Sequence, residues 1–209
     1  MAQVQQGRRG SYAKGIAKRE EILERALEVI AREGFRGASV KELAEAVGLS
    51  QAGLLHYFDS KEELFTEIVR KRDEVDMGDH IQNTLEHPSA EQLREGYVAV
   101  IHHNAQVPGL VQLYSQLAVD AADPQHPAHN FFLERGQNLR GVFSEALAVR
   151  RESGEQTEPI PPENLARILQ AVSDGLQLQW MLEPHVDMAR IVAQLFDALT
   201  LPTAERNHE

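Results

Sequence analysis

The sequence predicts an all-α protein of about nine helices. Apolar residues recur three and four apart along most of the chain, Ser or Asp stands where those stripes begin, and Gly or Pro stands where they stop. With 209 residues the chain is long enough for a substantial core, and 42% hydrophobic with 25% charged residues is an ordinary globular composition. Three parts are expected: a basic flexible arm over residues 1–15, a three-helix helix-turn-helix domain over 16–62, and a helical domain over 63–209.

The arm, MAQVQQGRRGSYAKG, is polar and lacks the apolar centre of a signal peptide. Its Arg8 and Arg9 suit phosphate contacts or a solvated tail equally well. Next, Ile22, Leu23, Ala26, Leu27 and Ile30 form a helical stripe that Gly34 ends, and Phe35 is placed to plug a small core.

Residues 39–61 are the centre of the design. Val40, Leu43 and Ala44 share a face, residues 47–50 (VGLS) interrupt it, and Leu54, Leu55, Tyr57 and Phe58 resume an apolar run. Ser39 with Glu42 three residues on has the spacing of a capping box, Gly48 suits a turn with positive φ, and Ser50 is placed to cap a second helix. Two short helices joined by such a turn read as a helix-turn-helix, whose second helix enters the DNA major groove. The same spacing also occurs in helix pairs that never touch DNA. Leu54 and Phe58, one turn apart, are assigned inward, which leaves Gln51, Ala52, Gly53, Leu55, His56 and Tyr57 for DNA.

The string GLSQAGLLHYFDSKEELF, preceded by AREGFRGASVKELA, resembles the DNA-binding domain of the tetracycline-repressor (TetR) family over about residues 16–70. That resemblance implies a supporting first helix and a fourth helix, opened by Lys61, that leads to a ligand-binding and dimerisation domain. It further implies a homodimeric repressor that a small molecule releases from a palindromic operator in double-stranded DNA. Where the family often carries Thr or Ser this chain has Gly53, and where it often carries Tyr this chain has Leu55. Both departures remove a hydroxyl, so the phosphate grip is assigned to Tyr57, Lys61, Ser39, Lys41 and the arm.

Charge distribution agrees with contact to DNA despite a net charge of -11. Residues 1–61 hold ten Lys or Arg against eight Asp or Glu, whereas residues 62–209 hold eleven against twenty-four. Arg8, Arg9, Lys14, Lys18 and Arg19 all precede the first acid, which is the footprint of a phosphate-binding surface.

Beyond Ser60, a helix with Leu64, Phe65, Ile68, Val69 and Val75 inward is expected to end between Met77 and His80. Another starts at Ser89. Residues 96–119 contain no Lys, Arg, Asp or Glu, and Pro108-Gly109 divides them into two helices. Such uncharged helices belong at the centre of a helical domain, and their amides and imidazoles need partners there: side chains, water or a ligand. The polar residues and the Pro-Gly break exclude a membrane span. After a Pro-containing connection come a long helix from about His129 to Arg151, an exposed loop, and helices from Glu163 to Leu182 and from the cap Asp187 onward.

The resemblance assigns the last two helices to a dimer interface, with Gly175, Leu178, Val192 and Phe196 at its centre; filling of the single chain's core is the alternative. A pocket built on residues 96–119 and 175–182 would offer Tyr114, Phe131 and Trp180 as apolar wall and His102, Gln116 and Gln179 as neutral polar groups. Its effector would be neutral and mostly apolar. A filled core without a cavity is the alternative.

Nine histidines raise a metal-dependent helical enzyme as the competing function. Helical chelation needs ligands at i and i+3 or i+4, but His102 and His103 are adjacent and Pro127 separates His126 from His129. No HExxH, GxSxG, Walker or GxGxxG string is present. No catalytic residue, metal ligand or cofactor is therefore assigned. The chain has no cysteine, which fits a cytoplasmic location.

Overall fold

A computed structural model of the chain describes residues 2–77, 89–152 and 160–200, with side chains except at 2–12, 77, 149–152 and 200. Nine α-helices and no strand occur among the described residues: α1 (Ala2–Glu33), α2 (Val40–Ala46), α3 (Gln51–Leu55), α4 (Lys61–Met77), α5 (Ala90–Asn104), α6 (Pro108–Asp120), α7 (His129–Glu152), α8 (Pro162–Leu182) and α9 (Met188–Thr200). A 3₁₀ turn, Phe35–Gly37, joins α1 to α2. None of the described helices is long and apolar enough to cross a membrane.

Helix α1 begins at Ala2, so the stretch expected as a flexible arm is helical backbone continuous with the supporting helix. Its Gln and Arg residues are good helix formers, which offsets Gly7 and Gly10.

The chain forms two compact units. The first comprises Met1–Asp73 and Val107–His129. Its core is Ile22, Ala26 and Ile30 of α1, Leu43 of α2, Leu54 of α3, Leu64, Ile68 and Val69 of α4, and Val111 and Leu113 of α6, each at most 2% exposed. Full burial of one such side chain contributes roughly 2 kcal/mol. Helix α6 lies against α1 and the 3₁₀ turn. At their contact, a Cβ on Gly109 would stand 2.4 Å from the carbonyl oxygen of Ile30, so only glycine permits this approach. The boundary expected at 62/63 is thus not where the units part. The first unit runs on to Asp73 and takes in α6, because the apolar face of α6 is buried in it.

The second unit comprises Glu74–Gln106 and Asn130–Glu209, with α5, α7, α8 and α9 as its described helices. Phe143 of α7 is its aromatic centre, edge-on to Tyr97 of α5 at 5.0 Å and tilted against Phe196 of α9 at 6.2 Å. Arg94 of α5 makes a two-pronged hydrogen bond to Asp197 of α9, at 2.6 and 2.7 Å. That hydrogen bond raises the Arg94 pKa further. Val75, expected inward, is 42% exposed.

Candidate nucleic-acid interface

Local capping builds the helix-turn-helix as the sequence predicts. Ser39 accepts from the Glu42 N–H at 3.4 Å while its own N–H donates to Glu42 Oε2 at 2.9 Å, a complete capping box opening α2. Gly48 has φ 69°, the left-handed conformation that the turn into α3 requires. Ser50 caps α3 by accepting from the Gly53 N–H at 3.0 Å. A Cβ on Gly53 would sit 3.2 Å from that hydroxyl oxygen, so the family's missing side chain leaves room for the cap.

Within α3 the inner side is Leu54, fully buried, and Phe58 just beyond is 3% exposed. Gln51, Ala52 and His56 are exposed, and Gly53, Leu55 and Tyr57 are half-buried. The six residues assigned to DNA therefore occupy the outer side of one short helix and the turn after it. His56 and Tyr57 stack edge-to-face with centroids 5.9 Å apart. Ser39, Lys41 and Lys61 are exposed. Lys41 stands 3.9 Å from Glu45, a surface pair too loose to tie it down. The Lys61 ammonium is 5.6 Å from the Phe65 ring centroid. Side chains of Arg8 and Arg9 lie outside the described residues.

Two cations of the expected phosphate footprint are paired with carboxylates of the protein itself. Lys18 pairs with Glu21 at 2.7 Å. Arg19 donates to the Tyr57 carbonyl at 2.5 Å, to Glu63 at 3.0 Å, and lies 3.3 Å from Glu67. The Lys18 pair spans three residues and is legible in the sequence, whereas the Tyr57 and Glu63 partners of Arg19 lie 38 and 44 residues away, beyond any local signal.

The residues assigned to a ligand pocket fall in two different units. Tyr114 and Gln116 are on α6 in the first, where Tyr114 is buried with Arg72 5.6 Å from its ring centroid and Gln116 is exposed. His102, Phe131, Gln179 and Trp180 are in the second. There Phe131 and Trp180 are buried, but His102 and Gln179 face solvent. The correction is one of helical phase. At about 100° per residue, Gln179 points well away from Trp180, while Gln177 returns to within about 60° of it.

Gln177 is 4% exposed and its Oε1 has no hydrogen-bond partner among the described residues. One turn earlier Ser173 donates to the Leu169 carbonyl at 2.9 Å and is hydrogen-bonded to Tyr97. Burial pushes the Tyr97 phenol up to about 12, against the smaller opposing effect of Ser173. The buried side of α8 is Leu165, Ala166, Leu169, Ser173, Leu176, Gln177 and Trp180, apolar except at Ser173 and Gln177.

Two of the four residues assigned to a dimer interface are core residues. Val192 is fully buried and Phe196 is 2% exposed, the latter packed on Phe143. Leu178 is 53% exposed, and a Cβ on the half-exposed Gly175 would meet nothing within 4 Å. They belong to a longer exposed line on α8: Ile168, Ala171, Gly175, Leu178 and Leu182. Spacings of three and four repeat along it as in the seam of a coiled coil. That pattern was present in the sequence and would have found Ile168 and Leu182. Among the described residues no cluster of three or more His, Cys, Asp or Glu is placed to hold a metal.

Residues 22–68 match the family described as bacterial regulatory proteins, tetR family. The chain is 28% identical over 173 residues to the HTH-type transcriptional repressor AcnR of Corynebacterium efficiens, covering 78% of this chain and 81% of that protein. It is 40% identical over 55 residues to the HTH-type transcriptional regulator RutR of Escherichia coli, 26% of each chain. In fold it is similar to the transcriptional regulator FadR of Bacillus subtilis in complex with stearoyl-CoA, with a TM-score of 0.68 and 17% identity over 87% of this chain and 97% of that one.

Proposed function

We infer that this chain, a TetR-family transcriptional regulator and not an enzyme, acts as a homodimeric repressor that leaves a palindromic operator when a small molecule binds its second unit. The observation that carries the DNA reading is the outer side of α3. Gln51, Ala52 and His56 stand exposed above a sealed inner side of Leu54 and Phe58, with Lys41 and Lys61 exposed on the flanking helices. Amide and imidazole groups there read base edges, while Ser39, Lys41, Tyr57 and Lys61 hold phosphates.

The apolar line on α8 supports the dimer. Ile168, Leu178 and Leu182 are 36%, 53% and 84% exposed, and Ile191 on α9 adds another apolar side chain at 38%. A two-fold pair burying that seam carries two copies of α3, the number that an inverted repeat requires.

For the effector, the buried surfaces of α5, α7 and α8 in the second unit support a mostly apolar molecule without charge in its buried part. Phe131 and Trp180 supply apolar surface, and Tyr97, Ser173 and Gln177 supply neutral hydrogen-bonding groups. Stearoyl-CoA, with which the FadR of Bacillus subtilis is in complex, carries a long uncharged apolar chain of this kind.

Selection of DNA from a random pool by the pure protein tests the whole reading. The expected product is an inverted repeat with half-sites about one helical turn apart or a multiple of it. An asymmetric or unrepeated site would count against a two-fold dimer reading DNA through α3.

A further inference from the structure

Helix α3 has only five residues, too few to hold its own position, so whatever fixes its C-terminal end also fixes His56 and Tyr57. Backbone bonds reach only part of that end: the His56 N–H donates to Ala52 at 3.0 Å and the Tyr57 N–H to Leu54 at 3.0 Å. The Tyr57 carbonyl, lying past the last turn, is taken by Arg19 Nη1 at 2.5 Å.

The other end of the same guanidinium is anchored. Nη2 donates to Glu63 Oε1 at 3.0 Å and stands 3.3 Å from Glu67 Oε2, two carboxylates one turn apart on α4. Its Cζ lies over the Phe58 ring, 4.4 Å from the centroid. Glu63 extends the chain of contacts, since its Oε2 accepts from the Asp59 N–H at 2.5 Å in the turn between α3 and α4. One side chain of α1 thereby ties the end of α3 to the start of α4.

We propose that Arg19 is a positioning residue for DNA reading: it sets His56 and Tyr57 against the duplex through the Tyr57 carbonyl and contacts no phosphate itself. This rests on the reading that α3 and the turn after it face DNA. The rigid planar fork of arginine reaches the carbonyl, both carboxylates and the aromatic face at once, whereas a lysine ammonium meets one or two of them. A phosphate-binding arginine would behave differently, because its loss releases fewer counterions and flattens the salt dependence of binding.

The test compares Arg19→Lys, Arg19→Met and Glu67→Gln with the parent on the duplex selected from a random pool. Affinity is measured by fluorescence anisotropy over a range of salt, and folding of each variant is checked by circular dichroism at the assay temperature. Loss of one charge-assisted hydrogen bond predicts a fall of about tenfold or more for Arg19→Lys. The slope of log affinity against log salt should stay unchanged, and the margin over a scrambled duplex should shrink. Arg19→Met should lose at least as much; if it does not fold, Glu67→Gln should show a smaller loss in the same direction, also without a change of slope. A slope lower by about one per protomer would make Arg19 a phosphate ligand, and unchanged affinity of the folded variants would make it a stabiliser only. Either result overturns the proposal. Gln51→Ala in the same assay separates the two readings: unchanged base preference there removes α3 as the reading helix, whereas altered preference beside an unaffected Arg19→Lys removes the clamp alone.

Discussion

Gln177 and Leu178 are neighbours on α8, about 100° apart around the helix, one 4% exposed with a carbonyl oxygen unpaired among the described residues, the other 53% exposed as bare hydrocarbon. Neither state is favourable for an isolated chain. The helix therefore has two unfinished faces, and each makes a separate prediction.

On the outer face, Leu178→Asp places a charge in the line of Ile168, Ala171, Gly175 and Leu182. The protein should sediment as a monomer and stay folded, since the Leu178 side chain is 53% exposed. Phe196→Ala provides the contrast. Removing a ring packed on Phe143 should cost roughly 3 to 5 kcal/mol in denaturant unfolding and leave assembly intact where the protein is folded. Dissociation by Phe196→Ala but not by Leu178→Asp would put the interface on α9.

On the inner face, an unpaired buried acceptor costs about 1 to 3 kcal/mol. Gln177→Leu, similar in size and without the orphan oxygen, should raise the unfolding free energy of the ligand-free protein by part of that amount. It should also weaken any effector that donates a hydrogen bond there. A destabilised Gln177→Leu protein would mean that an ordered water or another donor already satisfies the oxygen.

What the sequence disclosed follows from how local each interaction is. Ser39 with Glu42, Gly48, Ser50 and the cap of Asp187 on the Arg190 N–H at 3.0 Å act over three or four residues, so spacing alone located them. Val192 and Phe196 show the limit. An apolar stripe says that a face is covered, not whether its own chain or a second copy covers it. Placement of α6 beside α1, and of Arg19 under Tyr57, depends on contacts between distant segments that no periodicity encodes. Gln177 and Gln179 differ only in helical phase, and the phase of Gln177 is the one that returns it to the buried side with Trp180.

The Tyr97 phenol gives a pH prediction. Its pKa is raised from 10.0 to about 12, chiefly by burial. A raised folded-state value means that the native protein keeps the proton longer than the unfolded chain. The associated stability is present below pH 10 and is lost as pH rises from about 10 to about 12, an effect of roughly 2 to 3 kcal/mol. Denaturant midpoints taken near pH 9 and near pH 11 should fall further apart in the parent than in Tyr97→Phe. An equal fall in both would show that other groups govern alkaline unfolding.

The last prediction separates reading from gripping in the DNA interface. Gln51 is the first residue of α3 and exposed, and its amide is of the type that makes paired hydrogen bonds to adenine in the major groove. Lys61, exposed at the start of α4, carries a charge but no base-reading geometry. Gln51→Ala should therefore relax preference at one symmetric pair of operator positions, with a loss of about 1 to 3 kcal/mol for the preferred base pair and little change on scrambled DNA. Lys61→Ala should weaken every duplex alike and lower the salt slope by about one per protomer. Both quantities come from the same titrations, run on the selected site and its single-position variants at several salt concentrations. If the two substitutions lower affinity equally and leave base preference untouched, α3 is not the helix that reads sequence. Base recognition would then have to lie elsewhere in the first unit.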